Sequence, residues 1–389
     1  EQVRDTKRSR GIMYFSLNAL ILAALVFLIP YALWLAGYGH EPYKSVLLIL
    51  ASLPIAIHAS KVTADAIITR LIPPQHLPLM DYSEEIPDSA RTFLVMPVII
   101  STKEQGLEYV ERLHKHYLAN RQPNLYFALL ADYADAQGKE MPSDKEIRDT
   151  LVSRIEQLNR RYPSAHRKFS LFIRERKWNQ SEGCYMCWER KRGKLEEFNA
   201  LLNGVDAGNT SFTTLLCDME ILGSIRYVIT LDADSDLVID NASKLVGMID
   251  HPLNRALVDP DKKRVKEGYA IIQPLVRNHV YEKNSALFLK IYGGRTGSPN
   301  YSVVVSDIYQ DLFREGSFVG KGIYDVRAFH QLLYKKIPEN CVLSHDLLES
   351  CYARTAFASG ADIVESFPGS YMSYAKREHR WIRGDWQLM

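Results

Sequence analysis

The sequence has little net charge and little cysteine, and each shortage excludes a class of protein. Lys and Arg total 48 against 46 Asp and Glu, a formal charge of +2, so a nucleic-acid partner that needs a strongly basic surface is not expected. The five cysteines are odd in number and scattered, which indicates a reducing compartment and no disulfide scaffold. With 47% hydrophobic and 24% charged residues the chain is not disordered or collagen-like, and 389 residues leave room for about two domains.

Charged residues are absent from residues 11–40, where Leu, Ile, Ala, Val and Phe dominate. The run is longer than the roughly 20 residues that a helix needs to cross about 30 Å of hydrocarbon. Membrane helices also tolerate a kinking proline such as Pro30. A buried core helix or a cleaved signal peptide would not need so long an apolar run. We therefore predict a transmembrane helix over about residues 11–36.

A second uncharged run, residues 45–60, lies between two lysines. The run is short for a membrane span, but Lys44 and Lys61 can extend their ammonium groups toward the two interfaces. A second transmembrane helix is therefore predicted over about residues 44–62. The alternative is an interfacial or re-entrant helix.

Basic residues flank the outer ends of this predicted helix pair, which indicates how it is oriented. Cytoplasmic segments next to membrane helices carry an excess of Lys and Arg, so the N-terminus and everything after Pro73 are expected in the cytoplasm. The sequence thus predicts a multi-pass protein with a membrane part, residues 1–75, and a cytoplasmic domain, residues 76–389. The flanking basic residues are Arg4, Lys7, Arg8, Arg10, Lys61 and Arg70.

The rest of the chain alternates between strand-like and helix-like patterns. Residues 91–101, 125–131 and 226–231 are apolar runs of the kind that form strands buried on both faces. Residues 107–117 and 145–161 carry apolar side chains at helical spacing. This alternation predicts an α/β fold with a mostly parallel sheet covered by helices on both sides. Ligands of such sheets bind just beyond the carboxyl ends of the strands.

Acidic residues follow one of these predicted strands directly. The segment YVITLDADSD ends in Asp232, Asp234 and Asp236, and alternation along an extended chain would point the first two to the same side. Two carboxylates at a strand end suit a divalent cation that also binds phosphate oxygens. One alternative is a solvated polar turn. Another is a phosphatase of the haloacid dehalogenase type, although such enzymes normally have Thr or Val where Asp236 stands.

A basic segment, WERKRGKLEEFN at residues 188–199, predicts a phosphate site at the start of a helix. Backbone amides at a helix N-terminus, together with Lys and Arg, bind diphosphates. The alternative is a solvated basic turn. Just upstream, Cys184 and Cys187 have no second cysteine pair and no neighbouring histidine, so a zinc site is not expected. The four basic residues are Arg190, Lys191, Arg192 and Lys194.

Two later segments also admit functional interpretations. In LSHDLLES, Ser344 caps a predicted helix, and Asp346 in its first turn either complements the helix dipole or acts as a general base. Near the end of the sequence, aromatic and basic residues alternate over residues 379–386. Tryptophan faces suit a sugar ring and arginine suits phosphate, whereas the alternative is an amphipathic helix on the membrane surface.

Four segments together resemble one family of enzymes. WERKRGKLEEFN, GSFVGKGIYDVRAF, IPENCVLSHDLLE and REHRWIRGDWQL are similar to the glycosyltransferase part of the cyclic β-1,2-glucan synthases. The resemblance runs from about Pro97 to Met389 and lies within the wider group of processive, membrane-embedded glycosyltransferases with a GT-A fold. It implies a GT-A-type nucleotide-sugar-binding fold preceded by the two transmembrane helices.

The resemblance also implies substrates, a cofactor and a location. Members of this family sit in the bacterial inner membrane with the transferase part facing the cytoplasm, and they extend a glucan with glucose from UDP-glucose, using Mg²⁺ or Mn²⁺. Full-length members are far larger, with further spans and carbohydrate-processing domains. This chain is therefore expected to be one segment of a longer polypeptide, acting in the lipid bilayer on a growing β-1,2-glucan.

Roles for single residues follow from the same resemblance. Asp232 and Asp234 match the Asp-x-Asp motif that holds the metal, and Asp346 matches the catalytic base. Arg380 and Trp381 match the last two positions of a Gln-x-x-Arg-Trp signature, in which the glutamine position is Arg377 here. The residues that fall where related transferases hold uridine and diphosphate are Ser101, Asp132, Arg192, Gly193, Lys194 and Asn199.

Acceptor binding and priming give the last assignments. An aromatic face and small residues predict a glucose or acceptor pocket at Phe318, Gly320, Lys321 and Gly322, with Trp386 as a further sugar-binding face. In this family the glucan is attached to the protein during synthesis, so the hydroxyl of Tyr162 or Tyr185 is a candidate primer; the alternative is that both are ordinary packing or surface tyrosines. Rival functions are a polysaccharide synthase of another linkage and a non-catalytic membrane module that binds nucleotide sugars.

Overall fold

The structure, a computed structural model, describes residues 2–37, 42–279, 287–292, 307–342 and 345–388. Two compact units are present. The first comprises Glu1–Gln75 with Pro299–Glu315, and the second comprises His76–Ser298 with Gly316–Met389.

The first unit is built from long apolar helices. Its helices are α1 (Gln2–Leu35), α2 (Pro42–Leu71) and a short one, Ile308–Phe313. Two stretches, Arg8–Leu35 and Val46–Leu71, are long and apolar enough to cross a bilayer by length and composition, and few of their residues are buried within the protein. Helices cover both predicted segments: α1 begins nine residues before residue 11, and α2 continues past residue 62 to Leu71.

Small and polar side chains join the two long helices. Ala56 and Ala64 are fully buried, which lets the backbones approach closely. The Tyr14 hydroxyl donates a hydrogen bond to Asp65 (2.8 Å), and the Ser60 hydroxyl donates one to the Asn18 side chain (3.2 Å). Contacts of this kind hold apolar helices together where burial of apolar surface alone cannot.

The second unit is an α/β structure. Its strands are β1 (Thr92–Ile100), β2 (Leu125–Tyr133), β3 (Phe169–Arg174), β4 (Lys177–Asn179), β5 (Cys184–Met186), β6 (Phe212–Leu216), β7 (Tyr227–Thr230), β8 (Ser235–Leu237), β9 (Leu257–Asp259), β10 (Arg264–Glu267), β11 (Ile271–Asn278), β12 (Gly322–Asp325) and β13 (Thr355–Glu365). Its helices are α3 (Lys103–Ala119), α4 (Pro142–Arg161), α5 (Arg190–Leu202), α6 (Met219–Leu222), α7 (Asn241–Asp250), α8 (Leu287–Tyr292), α10 (Val326–Leu333), α11 (His345–Ala353) and α12 (Tyr371–Leu388), with α9 being Ile308–Phe313 of the first unit.

Within the described residues the central sheet has nine strands in the order β6-β3-β2-β1-β7-β12-β11-β13-β8. Neighbours pair in parallel in β3-β2-β1-β7 and in β11-β13. The pairings of β6, β12 and β8 are antiparallel. Because β12 is antiparallel to both of its neighbours, β11 and β13 run in the same direction as β1, β2, β3 and β7. The predicted α/β class with a mostly parallel sheet is therefore confirmed.

Hydrophobic side chains leave the sheet on both faces, as the sequence pattern of β1 predicts. Leu94 and Met96 pack on the face covered by α3, α4 and α7. Phe93 and Val95 pack on the opposite face, which is covered by α5 and α10. Successive side chains of a strand point to opposite faces, so a strand buried on both sides needs an unbroken apolar run. Polar residues begin where such runs stop, at the carboxyl ends of the strands.

Candidate active site

Three carboxylates meet beyond the end of β7. Asp232, Asp234 and Glu365 each place a carboxylate oxygen within 4.8 Å of the others. Glu365 arrives through strand pairing, because it lies opposite Ser235 in the β13–β8 ladder and accepts a hydrogen bond from the Ser235 hydroxyl (2.6 Å). The sequence predicts the two aspartates but gives no sign of the glutamate, which belongs to a strand far along the chain.

The two aspartates come together in a way that differs from the prediction. The chain turns at residues 233–234 and does not continue in extended form, and the Ser235 amide donates a hydrogen bond to the Asp232 carbonyl (3.1 Å). The turn, and not strand alternation, therefore brings Asp232 and Asp234 to one place. The third predicted acid, Asp236, is on β8 and pairs with Arg112 of α3 (3.3 Å).

Two lysines hold Asp232. Lys191 Nζ lies 2.5 Å from Asp232 Oδ1 and 2.8 Å from the Gly320 carbonyl, and Lys321 Nζ lies 3.3 Å from Asp232 Oδ2 while also pairing with Glu365. Burial disfavours the charged carboxylate of Asp232, but the two ammonium groups outweigh this and lower its pKa. Asp232 is thus ionised, and two positive charges stand beside it.

Asp234 has the opposite environment. Its pKa is raised, first by partial removal from water and then by the negative charges of Glu365 and Asp232. A divalent cation would relieve this repulsion, since carboxylate oxygens are the ligands that Mg²⁺ and Mn²⁺ prefer. The three carboxylates, and the repulsion between their negative charges, therefore fit the divalent metal that the resemblance implies.

Asp346, in the first turn of α11, lies against Gly320, the residue whose carbonyl accepts a hydrogen bond from Lys191. A side chain at Gly320 would begin only 2.8 Å from both carboxylate oxygens of Asp346, and its φ of +82° is one that glycine adopts readily. Asp346 Oδ1 is buried and accepts no hydrogen bond from the residues that the structure describes. The predicted cap of this helix, Ser344, lies outside the described residues. The structure thus brings Asp346, Gly320, Lys321, Asp232 and Asp234 together.

A histidine and a glutamate that the sequence analysis did not single out lie behind Asp346. His345 Nδ1 is 3.0 Å from Glu349 Oε1 and 3.4 Å from Asp346 Oδ1. Burial alone would lower the pKa of His345, but these two carboxylates raise it to about 9. The three side chains are also close enough together to hold an ion. With its ring protonated, His345 forms an ion pair with the two carboxylates.

Within the basic segment, Lys191 reaches the acids, and the predicted residues Arg192 and Lys194 do not. Arg192 is 5% exposed and pairs with Glu189 (2.8 Å) and Glu196 (3.5 Å). Lys194 is fully buried and lies 3.1 Å from Asp132, and burial lowers its pKa to about 8 despite that partner. These contacts tie the start of α5 to the body of the domain.

Asp132 belongs to the same buried network. Arg174, at the end of β3, donates two hydrogen bonds of 2.8 Å to the Asp132 carboxylate, and it also donates to the backbone carbonyls of Trp188 and Arg190 at 2.9 Å. Burial opposes the charge on Asp132, but Lys194 and Arg174 outweigh it and lower its pKa. Arg174, which the sequence analysis missed, links the sheet to the loop that leads into α5.

The other predicted nucleotide-site residues have structural contacts. A side chain at Gly193 would begin 2.2 Å from the Trp188 carbonyl, so only glycine fits there. Asn199 is buried and accepts a hydrogen bond from the Tyr324 hydroxyl (2.9 Å). Ser101 is exposed at the end of β1, and its amide donates to the Gln105 side chain (2.9 Å).

The remaining predicted sugar and acceptor residues are spread more widely. Phe318 is 2% exposed and packs in the core, and Gly322 opens β12 where a side chain would begin 2.4 Å from the Ile272 carbonyl. On α12, Arg380, Trp381 and Trp386 are exposed, and no hydrogen bond or ion pair in the described part of the chain joins them to the acidic cluster. The guanidinium of Arg377 lies 4.7 Å from the Trp381 ring.

The two candidate attachment tyrosines lie in different settings. Tyr162 follows α4, its hydroxyl is 3.0 Å from His114 Nε2, and its ring packs against Tyr117. Tyr185 is on the β4–β5 hairpin with its ring 5.2 Å from that of Trp178. Attachment of glucan at either residue stays a prediction.

A comparison with known proteins finds a relative for this chain. Cyclic beta-(1,2)-glucan synthase NdvB of Rhizobium meliloti (strain 1021) is 39% identical to this chain over 372 residues, which is 95% of the chain. The chain spans only 13% of the length of that protein. No family model matches the chain. The chain is therefore related to a segment of the cyclic β-1,2-glucan synthases.

Proposed function

We propose that this chain is the glucosyltransferase segment of a cyclic β-1,2-glucan synthase. It transfers glucose from UDP-glucose to the 2-hydroxyl of a growing β-1,2-glucan, with inversion at the anomeric carbon. The observation that carries the proposal is the meeting of Asp232, Asp234, Lys191, Lys321 and Asp346 at one edge of the sheet. The similarity to a glucan synthase along 95% of the chain supports the choice of sugar and linkage.

The donor diphosphate is assigned to the carboxylates and lysines. Asp232, Asp234 and Glu365 are the residues that would hold Mg²⁺ or Mn²⁺, which when bound neutralises phosphate charge. Lys191 and Lys321 place fixed positive charge beside the same carboxylates and stabilise the charge that develops on the departing UDP. The resemblance adds Arg380 and Trp381 as further contacts, and it places the nucleotide across the ends of β1 and β2, past Ser101.

The residues of the buried network act indirectly in this proposal. Asp132 and Lys194 are almost fully buried and bonded to each other, and Gly193 allows the close contact with Trp188. Together they hold the first turn of α5 so that Lys191 reaches Asp232. They are therefore positioning residues for the diphosphate site and not contacts to the nucleotide.

The transfer step uses Asp346 as the base. Its carboxylate, which is partly exposed and lies against Gly320, takes the proton of the acceptor 2-hydroxyl. The acceptor oxygen attacks the anomeric carbon on the face opposite UDP, the new C1–O2 bond forms, and the bond from C1 to the phosphate oxygen breaks. UDP leaves with the electron pair, and an α-linked donor becomes a β-1,2 linkage.

The helices of the first unit support a membrane location for this reaction. Their length and composition are compatible with two spans in the bacterial inner membrane, and the basic flanks favour a cytoplasmic transferase domain. Further domains of a longer polypeptide would process the glucan, since the chain covers 13% of its relative. The growing glucan, attached to the protein in the resembled family, is the acceptor.

The base assignment is tested by turnover of UDP-glucose by the whole chain in nanodiscs with Mg²⁺ or Mn²⁺. The substitution Asp346→Asn should lower UDP release by about 10²- to 10⁴-fold, the usual contribution of a general base, while UDP binding is retained. The control is Asp149→Asn on the exposed surface of α4, which should turn over like the wild type. Undiminished turnover by Asp346→Asn would contradict the assignment.

A further inference from the structure

Three charged side chains lie side by side in the first turns of α11: the carboxylate of Asp346, the imidazole of His345 and the carboxylate of Glu349. Glu349, one helical turn after His345, is 6% exposed, and its carboxylate oxygen lies 3.0 Å from His345 Nδ1. The same nitrogen lies 3.4 Å from Asp346 Oδ1. The imidazole therefore stands between two carboxylates, one of which is the proposed base.

The surroundings of the imidazole keep it protonated. Burial disfavours the imidazolium, yet the carboxylates of Asp346 and Glu349 raise the pKa of His345 to about 9. From the neighbouring helix α5, Lys191 faces it and acts in the opposite direction. Around Glu349, the charged or titratable groups that line the same small pocket are Arg192 and Glu196 of α5, His330 of α10 and Tyr334 just after α10. Tyr324 of β12 also faces Glu349.

One hydrogen atom on Nδ1 cannot serve both carboxylates. The shorter contact is to Glu349, so the hydrogen bond is donated there, and Asp346 is held by the positive charge of the ring. This division holds the buried Oδ1 of Asp346 beside the ring without a hydrogen-bond donor from the described residues. A direct hydrogen bond to Oδ1 would instead favour the ionised carboxylate and weaken it as a base.

We infer that His345 and Glu349 are positioning residues for Asp346: Glu349 fixes the imidazolium, and the imidazolium fixes the carboxylate above Gly320. The inference rests on the proposed function, in which Asp346 is the base. It predicts that the reaction requires a charged His345, and hence that turnover falls as this group loses its proton at alkaline pH. It also predicts that Glu349 controls where that fall occurs, although Glu349 touches neither substrate.

The substitution Glu349→Gln removes the negative charge at this position but keeps a side chain of nearly the same shape. The amide oxygen of glutamine can still accept the hydrogen bond from Nδ1, but the negative charge is gone, so the pKa of His345 should fall by about one unit or more. The alkaline limb of kcat/KM for UDP-glucose should move to lower pH by the same amount. In His345→Gln the limb should disappear and kcat should drop, while UDP binding stays near the wild-type value.

Glu196→Gln is the matched control, because it removes a carboxylate of the same pocket that pairs with Arg192 and not with His345. Its alkaline limb should stay in place. An unchanged limb in a folded, active Glu349→Gln variant would overturn the inference, since a purely structural role for Glu349 would not move a pH profile.

A second readout does not depend on turnover. NMR of the ¹³C-histidine-labelled chain in nanodiscs, with the His345 signal assigned from the His345→Gln variant, should show an imidazolium at neutral pH that titrates near 9 and at lower pH in Glu349→Gln. A neutral His345 at pH 7 would overturn the inference whether or not the chain is active. A wild-type chain that releases no UDP but shows the protonated ring would count against the proposed function alone.

Discussion

Removal of Arg174 should destabilise the transferase domain more than any exposed ion pair can. The side chain is fully buried and donates to Asp132, which is 2% exposed, at two positions of 2.8 Å, and it also reaches Glu197 at 3.3 Å. Breaking a buried pair from one side leaves an uncompensated buried charge, which costs about 3–5 kcal/mol. We expect Arg174→Met to lower the free energy of unfolding by this amount.

The assay is thermal unfolding of the whole chain in detergent, followed by fluorescence. A loss of this size lowers Tm on the order of 10 °C for a domain of this length. The matched control is Arg148→Met, which breaks an exposed pair with Asp149 and should cost at most about 0.5 kcal/mol. The double variant with Asp132→Asn should recover part of the loss, because the stranded carboxylate is then neutral. Equal Tm values for Arg174→Met and Arg148→Met would refute the reasoning.

Three further predictions concern the site and the acid limit of stability. Gly320→Ala should abolish most UDP release and cost about 1–2 kcal/mol of stability, because the added carbon begins 2.8 Å from both Asp346 oxygens at a φ of +82°; turnover at the wild-type rate would contradict this. Asp232→Asn should weaken Mn²⁺ binding, measured by electron paramagnetic resonance, at least tenfold, and wild-type affinity would remove this residue from the metal site. Burial lowers the pKa of His116 to about 4 in the folded protein, against 6.5 in the unfolded chain. The unfolded chain therefore takes up a proton first, and the free energy of unfolding falls as the pH drops from 6.5 toward 4. His116→Gln should abolish about 3 kcal/mol of that acid-side loss, seen as a flatter Tm between pH 6.5 and 4.5, and a wild-type slope would contradict it.

The sequence was most informative where strands are buried on both faces. The apolar runs that became β1, β2 and β7 are unbroken because both faces of each strand pack against helices. Polar residues mark the ends of these runs, so the amino-acid pattern alone places Asp132 and Asp232 at the carboxyl ends of central strands. The sheet class follows from the same runs.

Residues contributed by distant strands could not be predicted in this way. Glu365 joins the aspartates only because β13 pairs with β8, and Arg174 meets Asp132 only because β3 lies beside β2. Such pairings join segments far apart in the chain, and nothing local to either residue encodes them. The lysine of the FVGKG segment, Lys321, was identified, but its pairing with Asp232 and Glu365 was not.

The helix start at α5 shows why the sequence did not single out Lys191. Four basic side chains lie within five residues there, and which of them faces the acidic cluster depends on how the helix is rotated about its axis. Glu189 and Arg190 have positive φ values of 49° and 47°, so the entry into α5 is irregular. Helical periodicity counted from the sequence therefore did not reveal that Lys191 faces Asp232 while Lys194 faces Asp132.

The most direct test of the central claim is the product that the wild-type chain makes from UDP-glucose. The chain in nanodiscs, with Mg²⁺ or Mn²⁺ and a short β-1,2-glucan, should release UDP and extend the glucan, and linkage analysis should find new 2-linked β-glucose. Release of UDP with a different linkage would keep the site but reassign the acceptor geometry. Binding of UDP without release or new linkages, in a sample that is folded and metal-loaded, would contradict the account.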